Sequence, residues 1–143
     1  ESPPERESEQ KQGKIMRNTV SIFLYNHEGK VLLQHRDSNA PRYPNIWGVF
    51  GGEIEPGETE LEAIRRECLE EIGYLLENPK LMKRLTFNGE RSLSVFVEKY
   101  NSEKKLTLME GDGMGWFKVQ ELGNINIVEH IREVLEDIAS EFG

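Results

Sequence analysis

The stretch from Gly51 to Tyr74, GGEIEPGETELEAIRRECLEEIGY, constrains this chain more than any other. Between Glu53 and Glu71 it sets eight glutamates against two arginines, a net of −6 out of the −8 carried by all 143 residues. The acidity is therefore concentrated in one place. Its first part, Gly51–Glu58, has two adjacent glycines and a Pro56-Gly57 pair, and reads as a loop. Thr59–Ile72 lacks Gly and Pro and is rich in helix formers. Thr59 followed by Glu62 has capping-box spacing and marks the helix start, while Gly73 marks its end. Leu61, Ile64, Cys68 and Ile72 recur at three- and four-residue intervals and predict the buried stripe. Glu67, Glu70 and Glu71 share a neighbouring face one turn apart. Like charges so placed cost roughly 0.2–0.5 kcal/mol per pair. A divalent cation held by carboxylate oxygens reverses that sign. A bare E-x-x-E-E is more often a solvated acidic face.

Here it is not bare. Gly52, Glu58, Arg66-Glu67, Cys68, Glu70-Glu71, Gly73 and Tyr74 stand at the spacings of the signature of the Nudix hydrolases, and the chain resembles that family. Every Gly, Glu and Arg of the signature is present. Cys68 and Tyr74 replace the usual aliphatics, and Phe50 stands where many relatives have proline. The resemblance implies an α/β fold, a Nudix-type α/β/α sandwich with a mixed β-sheet. It also implies metal-dependent hydrolysis of a diphosphate linkage in a nucleoside diphosphate derivative. A nucleoside triphosphate, intact or oxidised, is the first expectation, because the domain is small and without extensions. ADP-ribose or a dinucleoside polyphosphate comes second, since Leu85–Ser92 lacks the proline or tyrosine that often accompanies those activities. A non-catalytic nucleotide sensor on the same fold usually loses box glutamates, which this chain keeps. An isoprenyl diphosphate isomerase needs Cys and His chemistry that the single Cys68 does not offer.

By the same resemblance, Mg²⁺ (or Mn²⁺) is held by Glu67, Glu70 and Glu71 with the Gly52 carbonyl. Glu67, Glu70, Arg66 and Glu110 form the catalytic set, with Glu67 first in line to activate water. Arg66 is expected to pair with Glu58 or a ligand glutamate and hold carboxylates in place. Glu110 sits in a Gly-rich turn before MGWF, where relatives often carry a further ligand or base, and its plainer reading is a turn acid. Glu98 and Glu103 are lesser candidates of the same kind. Arg36, Trp47 and the Gly51-Gly52 backbone are the candidates for substrate contact, with Arg42 and Tyr43 beside them. For Trp47 and Phe50 core packing is the commoner role. Cys68 and His35 read as structural.

The rest of the chain is ordered around this stretch. Glu1–Gly13 has no hydrophobic residue and reads as a disordered tail ahead of a single domain over 14–143. Lys14–Tyr25 is strand-like, with Val20, Ile22 and Leu24 on one face; Lys30–Arg36 returns after a turn, and Ile46–Phe50 is a short strand. Leu81–Phe87 and Arg91–Tyr100 form a hairpin around Asn88-Gly89. Lys104–Met109 and Met114–Val119 are predicted strands. Asn126–Phe142 is a helix with Ile127, Ile131, Val134 and Ile138 on one face. A lone cysteine excludes an internal disulfide and suits a reducing, cytoplasmic setting. No apolar run reaches membrane length, and the net −8 without a basic stripe argues against long nucleic acid. The expected partner is a small phosphorylated nucleotide, met by a monomer or homodimer.

Overall fold

The computed structural model describes residues 16–41 and 43–142. The tail read over Glu1–Gly13, the candidate Arg42 and the side chain of Ile138 lie outside the described residues. The elements run β1 (Arg17–Tyr25), β2 (Val31–His35), β3 (Trp47–Gly48), β4 (Phe50–Glu53), α1 (Glu60–Ile72), β5 (Lys80–Phe87), β6 (Arg91–Lys99), β7 (Gly113–Phe117), a 3₁₀ turn (Val119–Asn124) and α2 (Glu129–Phe142). Strands pair in the order β3-β2-β1-β6-β5, with β4 also on β1 and β7 also on β2. β1 and β6 are parallel and the other pairs antiparallel, so the sheet is mixed.

Alternation along β1 sorts the core into two layers. Val20, Ile22 and Leu24 pack with Ala63, Ile64, Cys68 and Ile72 of α1. Phe23, on the other face, packs with Leu93, Val95, Ile131, Val134 and Leu135, which brings in α2. Helices thus cover both faces, the expected α/β/α sandwich. No helix among the described residues is long and apolar enough to cross a membrane.

The hairpin turn forms as read, with Asn88 and Gly89 both at positive φ (52° and 68°). Four expectations need correction. Ile46–Phe50 is not one strand, because the chain changes partner at Val49: Trp47 and Gly48 pair with β2, and Phe50 onward with β1. Gly51 and Gly52 are not loop residues but lie within β4, opposite Ser21 and Val20. Lys104–Met109 is not a strand; it runs past the end of α1, where Thr107 N–H donates to Ile72 O (2.8 Å) and Met109 N–H to Glu71 O (2.7 Å). Those bonds satisfy carbonyls that a helix end leaves unpaired. Finally, Leu61 is 41% exposed, and the buried stripe of α1 is Ala63, Ile64, Cys68, Glu71 and Ile72. A carboxylate has taken a core position.

Candidate active site

Helix α1 starts and stops where its caps dictate. Thr59 Oγ1 accepts from Glu62 N–H (3.1 Å), Glu62 Oε1 accepts from Thr59 N–H (2.9 Å), and Gly73 closes the helix at φ 63°. This fixes the rotation of the helix and therefore the face that carries Glu67 and Glu71.

Arg66 organises the acidic end. Its Nε donates to Glu58 Oε2 (2.6 Å) and its Nη2 to Glu58 Oε1 (2.9 Å), a two-pronged pair of the kind that fixes orientation as well as charge. Nη2 also donates to the Glu53 carbonyl (3.0 Å), and Nη1 to Glu67 Oε2 (3.0 Å) and Glu70 Oε1 (3.4 Å). The Arg66 bonds, then the Glu55 N–H bond, hold the Glu58 carboxyl down at about 2. In turn Glu58, then Glu67, raises the Arg66 pKa. Arg66 thus makes the ion pair with Glu58 that the sequence suggested.

The predicted carboxylate trio divides. Glu71 is buried, and its Oε1 accepts the Gly51 N–H (2.9 Å). Burial first, then contact with Glu67 and the charge of Glu110, pushes the Glu71 carboxyl well above the ordinary carboxylate range. Glu67 is 13% exposed and lies against Gly52, where a Cβ would stand 2.3 Å from Glu67 Oε2. Only glycine lets the strand come so near the carboxylate. Glu70 is 59% exposed and faces solvent beside Arg66, apart from the buried pair. Among the described residues no three His, Cys, Asp or Glu side chains are arranged to hold a metal by themselves. The fold assembles a pair of glutamates against the extended backbone of β4, with Glu110 near enough to act on Glu71 electrostatically.

Beside that pair opens a cavity of about 220 Å³. Thr19, Ser21 and Leu93 on the sheet form its floor, Val128 just before α2 and Ile131 within it one wall, and Gly51, Gly52 and Glu53 of β4 its border with the box. Arg17, Arg36 and Arg91 also line it, against Glu53 and Glu110. In an acidic chain this collects cations next to the box, an arrangement suited to phosphate. A second hollow of about 400 Å³ lies across Arg36 and Glu110, bounded by Gln34 and the Asp37–Pro41 loop.

Of the predicted contacts, Arg36, Gly51, Gly52 and Glu110 line the cavity, and so does Tyr43. Trp47 does not; it packs edge-on between His35 (5.0 Å) and Phe117 (4.8 Å). Phe50 and Cys68 are core, and burial pushes the Cys68 thiol up to about 12, which removes it as a nucleophile. His35 Nδ1 meets Asp112 Oδ1 at 2.7 Å. Glu98 accepts the N–H groups of Glu77 and Asn78 and so braces the turn after α1, while Glu103 is exposed. Sequence reasoning missed the floor and far wall: Ser21, Leu93, Arg91, His130 and Ile131. Its one available signal was the polar Thr19-x-Ser21 pair on a strand whose other face carries Val20, Ile22 and Leu24.

A family model described as the NUDIX domain matches residues 16–138. Over 63 residues the chain is 39% identical to the Nucleoside triphosphatase NudI of Enterobacter sp. (strain 638), a match covering 44% of this chain and 45% of that protein. Over 66 residues it is 38% identical to the m7GpppN-mRNA hydrolase NUDT17 of Danio rerio, covering 46% of this chain and 22% of that protein. The chain thus spans less than half the length of these relatives. A MutT structure from the study of the Aliivibrio salmonicida and Vibrio cholerae proteins superposes with a TM-score of 0.76 over 89% of this chain and 99% of that one, at 21% identity. At that identity the likeness speaks for the fold.

Proposed function

The chain belongs to the NUDIX family, and on that premise we propose that it is a divalent-metal-dependent pyrophosphohydrolase acting on a nucleoside triphosphate. The observation that carries the reading is the Glu67–Glu71 pair, held against the side-chain-free Gly51–Gly52 backbone. Two relatives of almost equal identity carry different substrates in their names, so the reaction type is better supported than the substrate. The name of the first relative supports the triphosphate.

The donor set fits Mg²⁺ or Mn²⁺. It consists of hard oxygens, and a buried Glu71 beside Glu67 is a like-charged pair that a cation would relieve. Two carboxylates and the Gly52 carbonyl, with Glu70 at the solvent edge, leave coordination positions for water and phosphate, as Mg²⁺ requires. Bound there, the cation supplies charge neutralisation at the diphosphate and makes water more acidic.

The chain's own residues do the rest. Arg66 holds Glu67 Oε2 in place, and the Glu67 carboxylate takes a proton from the attacking water. The water oxygen bonds to phosphorus, the P–O–P linkage breaks, and the bridging oxygen leaves with the departing phosphate. Glu67 then returns its proton to solvent. Arg36 and Arg91 on the cavity wall stand where phosphate oxygens would enter.

The test is Mg²⁺-dependent release of phosphate or pyrophosphate across nucleoside triphosphates, ADP-ribose and dinucleoside polyphosphates, with products resolved by chromatography. Glu67→Gln should lower kcat about 10²- to 10⁴-fold. Turnover of none of these by the wild type would sink the hydrolase reading, and binding without turnover would leave a sensor.

A further inference from the structure

The described molecule has one polar side chain on the cavity floor that its fold does not use. Ser21 is 2% exposed, and its Oγ has no hydrogen-bond partner. Buried hydroxyls are nearly always paired, so one left open next to a cavity is unusual. Its surroundings keep it open. Ser21 lies between Val95 of β6 and Gly51 of β4, and Gly51 presents no side chain over it. Thr19, two residues earlier on the same face, shows the contrast: its Oγ1 donates to Ser92 O (2.6 Å) and accepts from Arg91 Nε (3.3 Å). Leu93, Val128 and Ile131 give the cavity apolar surface, and its charged groups, Arg91 and His130 among them, share the lining.

We propose that Ser21 is a specificity-determining residue, whose hydroxyl bonds a polar atom on the edge of a nucleobase seated on the Leu93–Ile131 surface. An apolar slot with one convergent hydrogen-bonding group is how small planar ligands are oriented. The cavity, at about 220 Å³, is below the roughly 300–1,000 Å³ of a site for a whole drug-sized ligand, and suits one end of a nucleotide. The phosphates would then reach along β4 to Gly52, which lines the same cavity and against which Glu67 lies. A hydroxyl both donates and accepts, so Ser21 ranks bases by where a heteroatom falls on their edge. The inference rests on the reading of this cleft as a nucleotide site, and its test is separable from turnover.

Nucleoside monophosphates with each of the four common bases are titrated in metal-free buffer and followed by calorimetry and amide shifts, for the wild type, Ser21→Ala and Ser21→Cys. The wild type should bind at least one, and Ser21→Ala should weaken that binding about three- to tenfold and narrow the spread among bases. Its Tm without ligand should be equal or higher, because an unsatisfied group has been removed. Ser21→Cys, with a weaker donor of similar shape, should fall between. Failure of every base to bind, or unchanged affinities in both variants, overturns the proposal. A lowered Tm in Ser21→Ala would mean that the hydroxyl serves the fold, and that too overturns it. Binding that depends on Ser21 without any turnover would retire the hydrolase reading and leave Ser21 standing; turnover indifferent to Ser21 would do the reverse.

Discussion

Two neighbouring parts of the cleft are built on opposite terms. At the acidic end Arg66 serves Glu58, Glu67, Glu70 and the Glu53 carbonyl at once, and Glu71 takes the Gly51 N–H. One strand over from Gly51 the floor holds the Ser21 hydroxyl with no partner, in a cavity also lined by Leu93, Val128 and Ile131. One part is over-determined by internal bonds; the other leaves its bonding to a ligand. Chemistry that depends on carboxylates held to within a fraction of an ångström needs the first arrangement. Discrimination among ligands needs the second, because a group already satisfied inside the protein has nothing left to discriminate with.

The adjacent glycines of β4 should break the acidic end in two different ways. At Gly51 a Cβ would stand 2.1 Å from Val20 O and 2.8 Å from Ser21 Cα, both backbone atoms of the central strand. Backbone cannot step aside, so Gly51→Ala should cost about 3 kcal/mol of stability and appear in chemical denaturation. At Gly52 the three atoms nearest the added methyl all belong to the Glu67 carboxylate, the far end of a flexible side chain that can swing away. Gly52→Ala should therefore leave the denaturation midpoint nearly unchanged and lower kcat roughly 100-fold. If both variants lose stability and activity together, site and scaffold are not separable here, and the contrast fails.

Arg66→Lys tests the clamp more gently. Lysine keeps the charge and loses the fork onto Glu58. As a positioning residue, Arg66 should show its loss as a roughly 10- to 100-fold drop in activity, together with a higher Mg²⁺ concentration for half-maximal rate. An unchanged Mg²⁺ requirement would assign Arg66 to the fold alone.

The same clamp predicts a pH window. The folded Glu58 carboxyl lies near 2 against an ordinary 4.5, held down first by Arg66. A depressed carboxyl stabilises the fold fully above the unfolded value and loses that contribution as pH falls towards the folded one. Thermal stability should therefore decline from about pH 4.5 to about pH 2, and Glu58→Gln should flatten part of that slope. A slope unaltered by the substitution would place the acid sensitivity on other carboxylates.

How much of this was legible in the sequence follows from the range of the forces. Thr59, Glu62, Gly73, Asn88 and Gly89 act within a few residues, and the helix and hairpin they bound were readable. The spacing of Arg66, Glu67 and Glu71 was readable as a family resemblance. What was not readable depends on contacts far along the chain. Nothing local says that Val49 marks a change of strand partner, that Lys104–Met109 pairs with a helix end, or that Leu61 faces solvent while Glu71 is buried. Trp47 looked available because it flanks the box, yet β7 supplies Phe117 to cover it. The open hydroxyl of Ser21 is set by Val95 and Gly51, which come from two other strands.

The finest comparison lies within β1 itself. Thr19 and Ser21 share a strand face and line one cavity, yet one hydroxyl is engaged and the other is not. Thr19→Val keeps the shape and removes the partly buried hydroxyl that donates to Ser92 O and accepts from Arg91 Nε. It should cost about 1 kcal/mol in denaturant unfolding. Ser21→Ala removes the same chemical group two residues away and should cost nothing in the absence of ligand. Equal losses from the two substitutions would mean that Ser21 is as embedded in the fold as Thr19, and the cleft would then have no unspent hydrogen bond with which to choose its base.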